Sequence, residues 1–342
     1  MKAARLEAIG KLVVREVEKP SPGPDDLLVR VEASGICGTD RHLFAGEFPS
    51  RPPVTLGHEF SGIIEAVGER VERFRPGMRI TGDPNIHCDR CQQCRRGRIN
   101  LCENLQAIGI HRDGGFADYV VIPQNQAYEL PASLDPAFGA FCEPLACCLH
   151  GVDMAGIRTG QSVVVLGGGV IGLLVVQLAR LAGATSVVLV TRQAVRRSLA
   201  EELGATSSVD PAAGDVVDQV AGADGLLPGG ADVVFECAGV GETVAEAPKL
   251  ARTGGTVVIL GVMPKGEKVE MEPFDILFRE LRVLGSFINP STHARAAALI
   301  SSGTIEVGRL ISRRIRLEDL PEAVANPPRA GEVKVLVMPG GD

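Results

Sequence analysis

Val163-Val164-Val165-Leu166-Gly167-Gly168-Gly169-Val170-Ile171-Gly172 is the stretch that decides the fold. Four apolar residues in a row read as a buried strand, and Ile171 to Ala182 continues as an apolar helix. Between them lies G-x-G-x-x-G in its strand–turn–helix setting. Gly167 permits the tight turn, Gly169 lets the backbone approach a pyrophosphate, and Gly172 lets the helix pack closely on the strand. Val170 and Ile171 open the helix, whose free N–H groups and partial positive charge suit phosphate. The motif predicts a dinucleotide site.

The end of the next strand bears on which dinucleotide. NAD binders usually carry Asp or Glu about 20 residues on, accepting hydrogen bonds from the adenosine ribose. Here Thr191 stands in that place, followed by Arg192, with Arg196 one helical turn later. A carboxylate would repel a 2′-phosphate, whereas arginines bind it, with a fork geometry available. The expectation is NADP(H) over NAD(H).

Working outward, strands and helices alternate. Val187–Val190 reads as a strand, Ala194–Leu203 as a helix, and Val233–Glu236 and Val257–Leu260 as later strands. A helix is expected around Thr243–Ala251, and Val283–Phe287 would close the sheet. This alternation predicts an α/β domain with a doubly wound parallel sheet over residues 148–289. Upstream the chain is β-rich: Leu27–Val31, Gly62–Gly68 and Phe116–Ile122 read as strands between Pro and Gly turns, until a helix from Glu143. The strand Val333–Val337 would return the chain to this first domain, giving 1–147 and 290–342 as the second unit.

Composition narrows the class. At 342 residues with 45% apolar and 23% charged side chains, the chain has ample material for two cores. A net charge of −7, no tryptophan and two tyrosines argue against a nucleic-acid partner. The longest apolar run, Val163 to Leu178, is too short and glycine-rich to span a membrane. Charges interrupt the first 17 residues, so no signal peptide is expected and the cytoplasm is the default. Nine cysteines in a reducing compartment should be thiols or metal ligands.

Cys88, Cys91, Cys94 and Cys102 form C-x2-C-x2-C-x7-C in a polar segment without periodicity. Four thiolates at this spacing can close a tetrahedral, structural zinc site, with an iron–sulfur cluster as the rival. A second set is dispersed: Cys37 in Gly35-Ile36-Cys37-Gly38-Thr39-Asp40-Arg41-His42, His58 and Glu59 in Gly57-His58-Glu59, and Glu143 in Cys142-Glu143-Pro144. Taken singly, each has a plain structural reading, Cys37 as a small core residue and Glu143 as a carboxylate at a helix N-terminus.

Together, in this order and spacing, these segments resemble the zinc-containing medium-chain dehydrogenases, especially the sorbitol and threonine dehydrogenase branch. The resemblance spans nearly the whole chain. It implies a GroES-like catalytic domain with a cysteine-rich zinc lobe joined to a Rossmann domain, and two zinc ions per chain. It implies Cys37 and His58 as ligands of a catalytic zinc, with Glu143 at the third-ligand position and Glu59 as an adjacent carboxylate that can also bind. Asp40 would accept a hydrogen bond from His58, while Thr39 and His42 would form a proton relay. The implied reaction moves hydride between a secondary alcohol, polyol or sugar alcohol and NAD(P), giving a ketone. The same resemblance implies a homodimer or homotetramer paired through edge strands of the coenzyme domains.

Two other readings are a zinc-free NADPH reductase of the same superfamily and a non-catalytic dinucleotide-binding sensor. The triplet Cys37, His58 and Glu59 disfavours the first, and Thr39 with His42 disfavours the second. The chain departs from the sorbitol pattern where an Arg-Tyr pair would follow the last coenzyme-domain strand, here Ile288-Asn289, and where Leu43 replaces a tyrosine after the relay histidine. Such a pocket rewards polyol hydroxyls less, and sorbitol itself is not the expected substrate.

Overall fold

A computed structural model describes residues 1–340. The chain divides into two compact units, Met1–Ala146 with Pro290–Asp342, and Cys147–Asn289.

The second unit is a six-stranded, all-parallel sheet. Its strands lie in the order Ser207–Val209, Ser186–Val190, Ser162–Leu166, Ala231–Glu236, Ala251–Ile259 and Arg282–Gly285. The order reverses between Ser162–Leu166 and Ala231–Glu236, where doubly wound sheets open a ligand crevice at the strands' carboxyl ends. Val163, Val164, Val165 and Leu166 are all 0% exposed. A strand covered on both faces has no reason to alternate, which is why the run is continuously apolar. Full burial of each such side chain stabilises by about 1.5–3 kcal/mol. The helix Val170–Leu181 follows directly. Gly167 has φ +106°, and a Cβ on Gly172 would sit 1.9 Å from the Gly167 carbonyl oxygen, so both positions require glycine. The closing strand is shorter than expected, Arg282–Gly285, and Phe287 beyond it is 47% exposed.

The first unit is built around the ten-residue strand Asp26–Gly35, which pairs antiparallel with Glu59–Val67 and with Tyr119–Pro123. Arg79–Gly82 and Ala127–Leu130 extend the sheet on one side. On the other, Lys334–Val337 pairs with its end through Leu336↔Gly35 and Val337↔Ser34. The C-terminal strand therefore belongs to the N-terminal domain. Leu27, Val29 and Val31 point at period two into a core with Phe60, Ile64, Ile80 and Ile122. A second apolar cluster holds Leu6, Leu43, Leu56, Phe116, Leu317 and Val337. One finding adds to the sequence reading and one differs from it. Lys2–Ala8 and Lys11–Glu16, for which no element was read, pair as an antiparallel hairpin. Phe116 and Ala117 precede rather than join the strand Tyr119–Pro123, because the Phe116 backbone bonds Ala4 (2.8 Å) and Leu56 (2.9 Å) instead.

Candidate active site

The pairing Gly35↔Glu59 brings two distant segments side by side. Cys37 follows one strand and His58 precedes the other. The turn before His58 requires Gly57, with φ +96° and space for a Cβ already taken by the Phe116 amide nitrogen at 2.5 Å. Cys37 is also the N-cap of the helix Gly38–Ala45, and its sulfur accepts the Thr39 N–H at 3.5 Å. Asp40 Oδ2 closes the capping box by accepting the Cys37 N–H at 2.8 Å. Ligand atoms of Cys37, His58 and Glu59 all lie within 4.8 Å of one another. Sulfur, imidazole nitrogen and carboxylate oxygen are donors that zinc accepts, and three of them leave a fourth position open. The residues present fit a catalytic zinc.

Glu143, expected beside them, is buried at 7% exposure near the start of the helix Cys142–Ala155. Burial pushes its carboxyl up to about 7; Glu59 and Asp83 push the same way, while the His58 and Lys334 charges oppose. The expected Asp40–His58 hydrogen bond is replaced by a looser ion-pair contact, Asp40 Oδ1 to His58 Nδ1 at 3.6 Å. The capping bond to Cys37 holds the carboxylate toward the helix start. Lys334 is the residue that sequence reasoning missed. Its Nζ donates to Glu59 Oε2 at 2.5 Å and to the Ile36 carbonyl at 3.0 Å, fully buried. Burial works against its charge, but Glu59 and Cys37 outweigh that and raise its pKa. The available signal was a lone lysine inside the apolar run Val333–Val337.

Thr39 Oγ1 lies 3.6 Å from Cys37 Sγ. His42 Nδ1 lies 2.6 Å from Glu47 Oε2, with the imidazole 26% exposed. Thr39 therefore stands at the sulfur and His42 at the water-facing end of the same short helix. Leu43 is 0% exposed in the core rather than turned to the site.

The four cysteines of the lobe also converge, their sulfurs within 4.8 Å of one another. Cys91 and Cys102 are 4.0 Å apart. Zinc with bonds of about 2.3 Å spaces tetrahedral sulfurs by about 3.8 Å, so the spacing fits. Backbone N–H groups already point at the sulfurs: Cys88 and Asn104 donate to Cys102 Sγ (3.4 and 3.3 Å), and Cys94 donates to Cys91 Sγ (3.5 Å). The Arg90 and Cys91 N–H groups hold the Cys88 thiol down to about 6, favouring the thiolate that a metal needs.

In the second unit, Gly169 is the N-cap of the helix Val170–Leu181 and has no side chain to occupy the helix end. Thr191 and Arg192 follow the neighbouring strand. Arg192 is exposed and Arg196 half-buried in the helix Ala194–Glu202. Arg197, not singled out from sequence, turns back to the Thr191 and Arg192 carbonyls at 2.8 and 2.9 Å.

The chain is similar to known proteins over nearly its whole length. The model of the alcohol dehydrogenase GroES-like domain matches residues 23–132, and that of the zinc-binding dehydrogenase matches residues 170–302. L-idonate 5-dehydrogenase of Vitis vinifera is 34% identical over 98% of this chain and 93% of its own. Sorbitol dehydrogenase of Halalkalibacterium halodurans is 33% identical over 96% of each. Among solved structures, a candidate zinc-binding dehydrogenase of Sinorhizobium meliloti bound to NADP is 69% identical, covers 99% of both chains and superposes with a TM-score of 0.98. No helix among the described residues is long and apolar enough to cross a membrane. The chain thus belongs to the zinc-binding medium-chain alcohol dehydrogenases, as an NAD(P)-linked alcohol or polyol dehydrogenase.

Proposed function

We propose that the protein oxidises a secondary alcohol, with small polyols and sugar alcohols as its substrate class, to the ketone with NADP, using two zinc ions per chain. The observation that carries this reading is the convergence of Cys37, His58 and Glu59 beside Thr39. Cys37 and His58 would hold the catalytic zinc, with Glu59 or Glu143 completing the set, and Cys88, Cys91, Cys94 and Cys102 the structural one. When bound, the catalytic zinc supplies a Lewis acid that lowers the pKa of a substrate hydroxyl. Thr39 would accept the substrate's hydroxyl proton as it gives up its own to the nicotinamide ribose, and His42, beside Glu47, would pass that proton on to water. Asp40 keeps the start of the Thr39 helix in place through its capping bond.

For the cofactor, Gly167, Gly169 and Gly172 with the helix start at Val170 and Ile171 receive the pyrophosphate, while Thr191, Arg192 and Arg196 take the adenosine 2′-phosphate. The NADP held by the Sinorhizobium meliloti relative supports this choice. A protein with this many free thiols suits the reducing cytoplasm. Pairing of two copies through the edge strand Arg282–Gly285 is supported by exposed Phe274, Leu277 and Phe278 on the preceding helix.

The test is zinc content per chain before and after mild chelation, with rates over polyols and secondary alcohols using each cofactor. About two zincs, one easily stripped with loss of turnover, is the expected result. Cys37→Ser should abolish turnover and leave NADPH binding intact. Undiminished NADPH oxidation by the stripped protein would instead mark a reductase that needs no metal.

A further inference from the structure

We propose that Arg197 is a positioning residue for cofactor specificity: it holds the Thr191–Arg192 turn so that Arg192 is presented to the adenosine 2′-phosphate. The inference rests on the NADP reading above and concerns a residue whose guanidinium is turned to the Thr191 and Arg192 carbonyls and to Asp210.

Three independent contacts fix this turn. The Thr191 N–H donates to the Val209 carbonyl at 3.0 Å, continuing the sheet ladder past its end. Thr191 packs against the phosphate turn, where a Cβ on Gly168 would lie 2.9 Å from its side chain. Arg197 closes the third side. Its Nη1 lies within 2.9 Å of the Thr191 carbonyl, the Arg192 carbonyl and Asp210 Oδ2. Asp210 is itself anchored, its Oδ1 accepting the Ala212 N–H at 3.0 Å.

Two physical consequences follow. The Thr191 and Arg192 carbonyls carry partial negative charge, and engaging both with one guanidinium keeps that charge from facing an incoming phosphate. Arg197 also pairs with Asp210 at 2.9 Å, so this carboxylate is not left as an uncompensated negative charge beside the turn. Arg192 meanwhile is exposed and makes no ion pair among the described residues, so its fork is available. Holding its backbone still lowers the ordering cost of using it. A 2′-hydroxyl, being neutral, gains little from any of this. Losing Arg197 should therefore weaken NADPH much more than NADH.

The experiment is fluorescence titration of the zinc-loaded protein with NADPH and with NADH, reading the ratio of the two Kd values. Arg197→Gln should cut the preference for NADPH by about tenfold with the NADH Kd within about twofold. Arg197→Lys, still cationic and able to bond the carbonyls, should return part of the preference. Arg192→Gln serves as control and should remove it. An unchanged ratio in Arg197→Gln, or equal weakening of both cofactors, overturns the proposal and leaves Arg197 a structural residue. A wild-type ratio near one overturns the NADP reading itself, whereas an Arg192→Gln variant that keeps the preference shows that Arg192 does not read the 2′-phosphate and overturns the proposal.

Discussion

The ammonium of Lys334 lies 2.5 Å from Oε2 of Glu59, and both side chains are only 1% exposed. Each is the other's principal justification for being charged inside the protein. Removing one partner of such a pair strands the other in a low-dielectric interior, typically at a cost of about 3–5 kcal/mol. We expect Lys334→Met to lose stability of that order and Glu59→Gln in the same background to restore part of it. Urea unfolding of the single and double variants measures both, and simple additivity would refute the coupling.

The lobe should depend on its metal. Residues 88–102 contain only the short helix Gln92–Arg95 and a single turn at Ile99–Leu101, and Cys102 is their one buried side chain. With so little apolar burial, the proposed zinc on the four sulfurs should supply the ordering. Cys94→Ser should lose one zinc per chain and open this segment to proteolysis. A protected segment in a protein with one zinc would show that the fold orders it unaided.

The relay makes a kinetic claim. His42→Gln removes the proposed, half-buried proton carrier while leaving Cys37, His58 and Glu59 in place. We expect kcat for alcohol oxidation near neutral pH to fall by roughly 10- to 100-fold, with added imidazole restoring part of it. Cofactor Kd should stay constant. A rate unchanged across pH would mean that protons leave by another route.

His293 gives a pH dependence of stability. It is 0% exposed, stacked on Tyr128 with ring centroids 4.8 Å apart, and its Nε2 lies 3.4 Å from Thr81 Oγ1. Burial pushes its pKa down to about 3. Between that value and the ordinary histidine pKa of about 6.5, the unfolded chain binds a proton that the folded chain refuses. Stability should therefore rise with pH through this window and fall as pH drops below about 6.5, by up to about 1.4 kcal/mol per pH unit from this residue. Denaturation at pH values of about 7, 6 and 5 should show a shallower slope for His293→Gln than for the wild type, whatever their difference at neutrality.

Much was legible in the chain because the signals are local. A continuous apolar strand running into G-x-G-x-x-G, and four cysteines within 15 residues, each carry their chemistry in neighbouring positions. Strand pairing is not local. The register Gly35↔Glu59 and Leu336↔Gly35 is what brings Cys37, Glu59 and Lys334 together across some 300 positions. No spacing rule reaches that far, so Lys334 read only as an odd charge in an apolar run. Arg196 and Arg197 pose the same difficulty on a smaller scale, since adjacent helical residues differ by about 100° in direction and the packed helix decides which one turns inward.

The sequence by itself determined the kinds of chemistry: a dinucleotide turn, a thiolate lobe, and a cysteine, histidine and carboxylate set suited to zinc. Tertiary structure alone decided which charges face one another. It gave Glu59 a buried lysine, Asp40 a capping bond in place of a histidine bond, and Arg197 the carbonyls of Thr191 and Arg192. The reason is that a charge in the interior persists only where a distant part of the chain supplies its partner, and that supply is settled by packing and register rather than by composition.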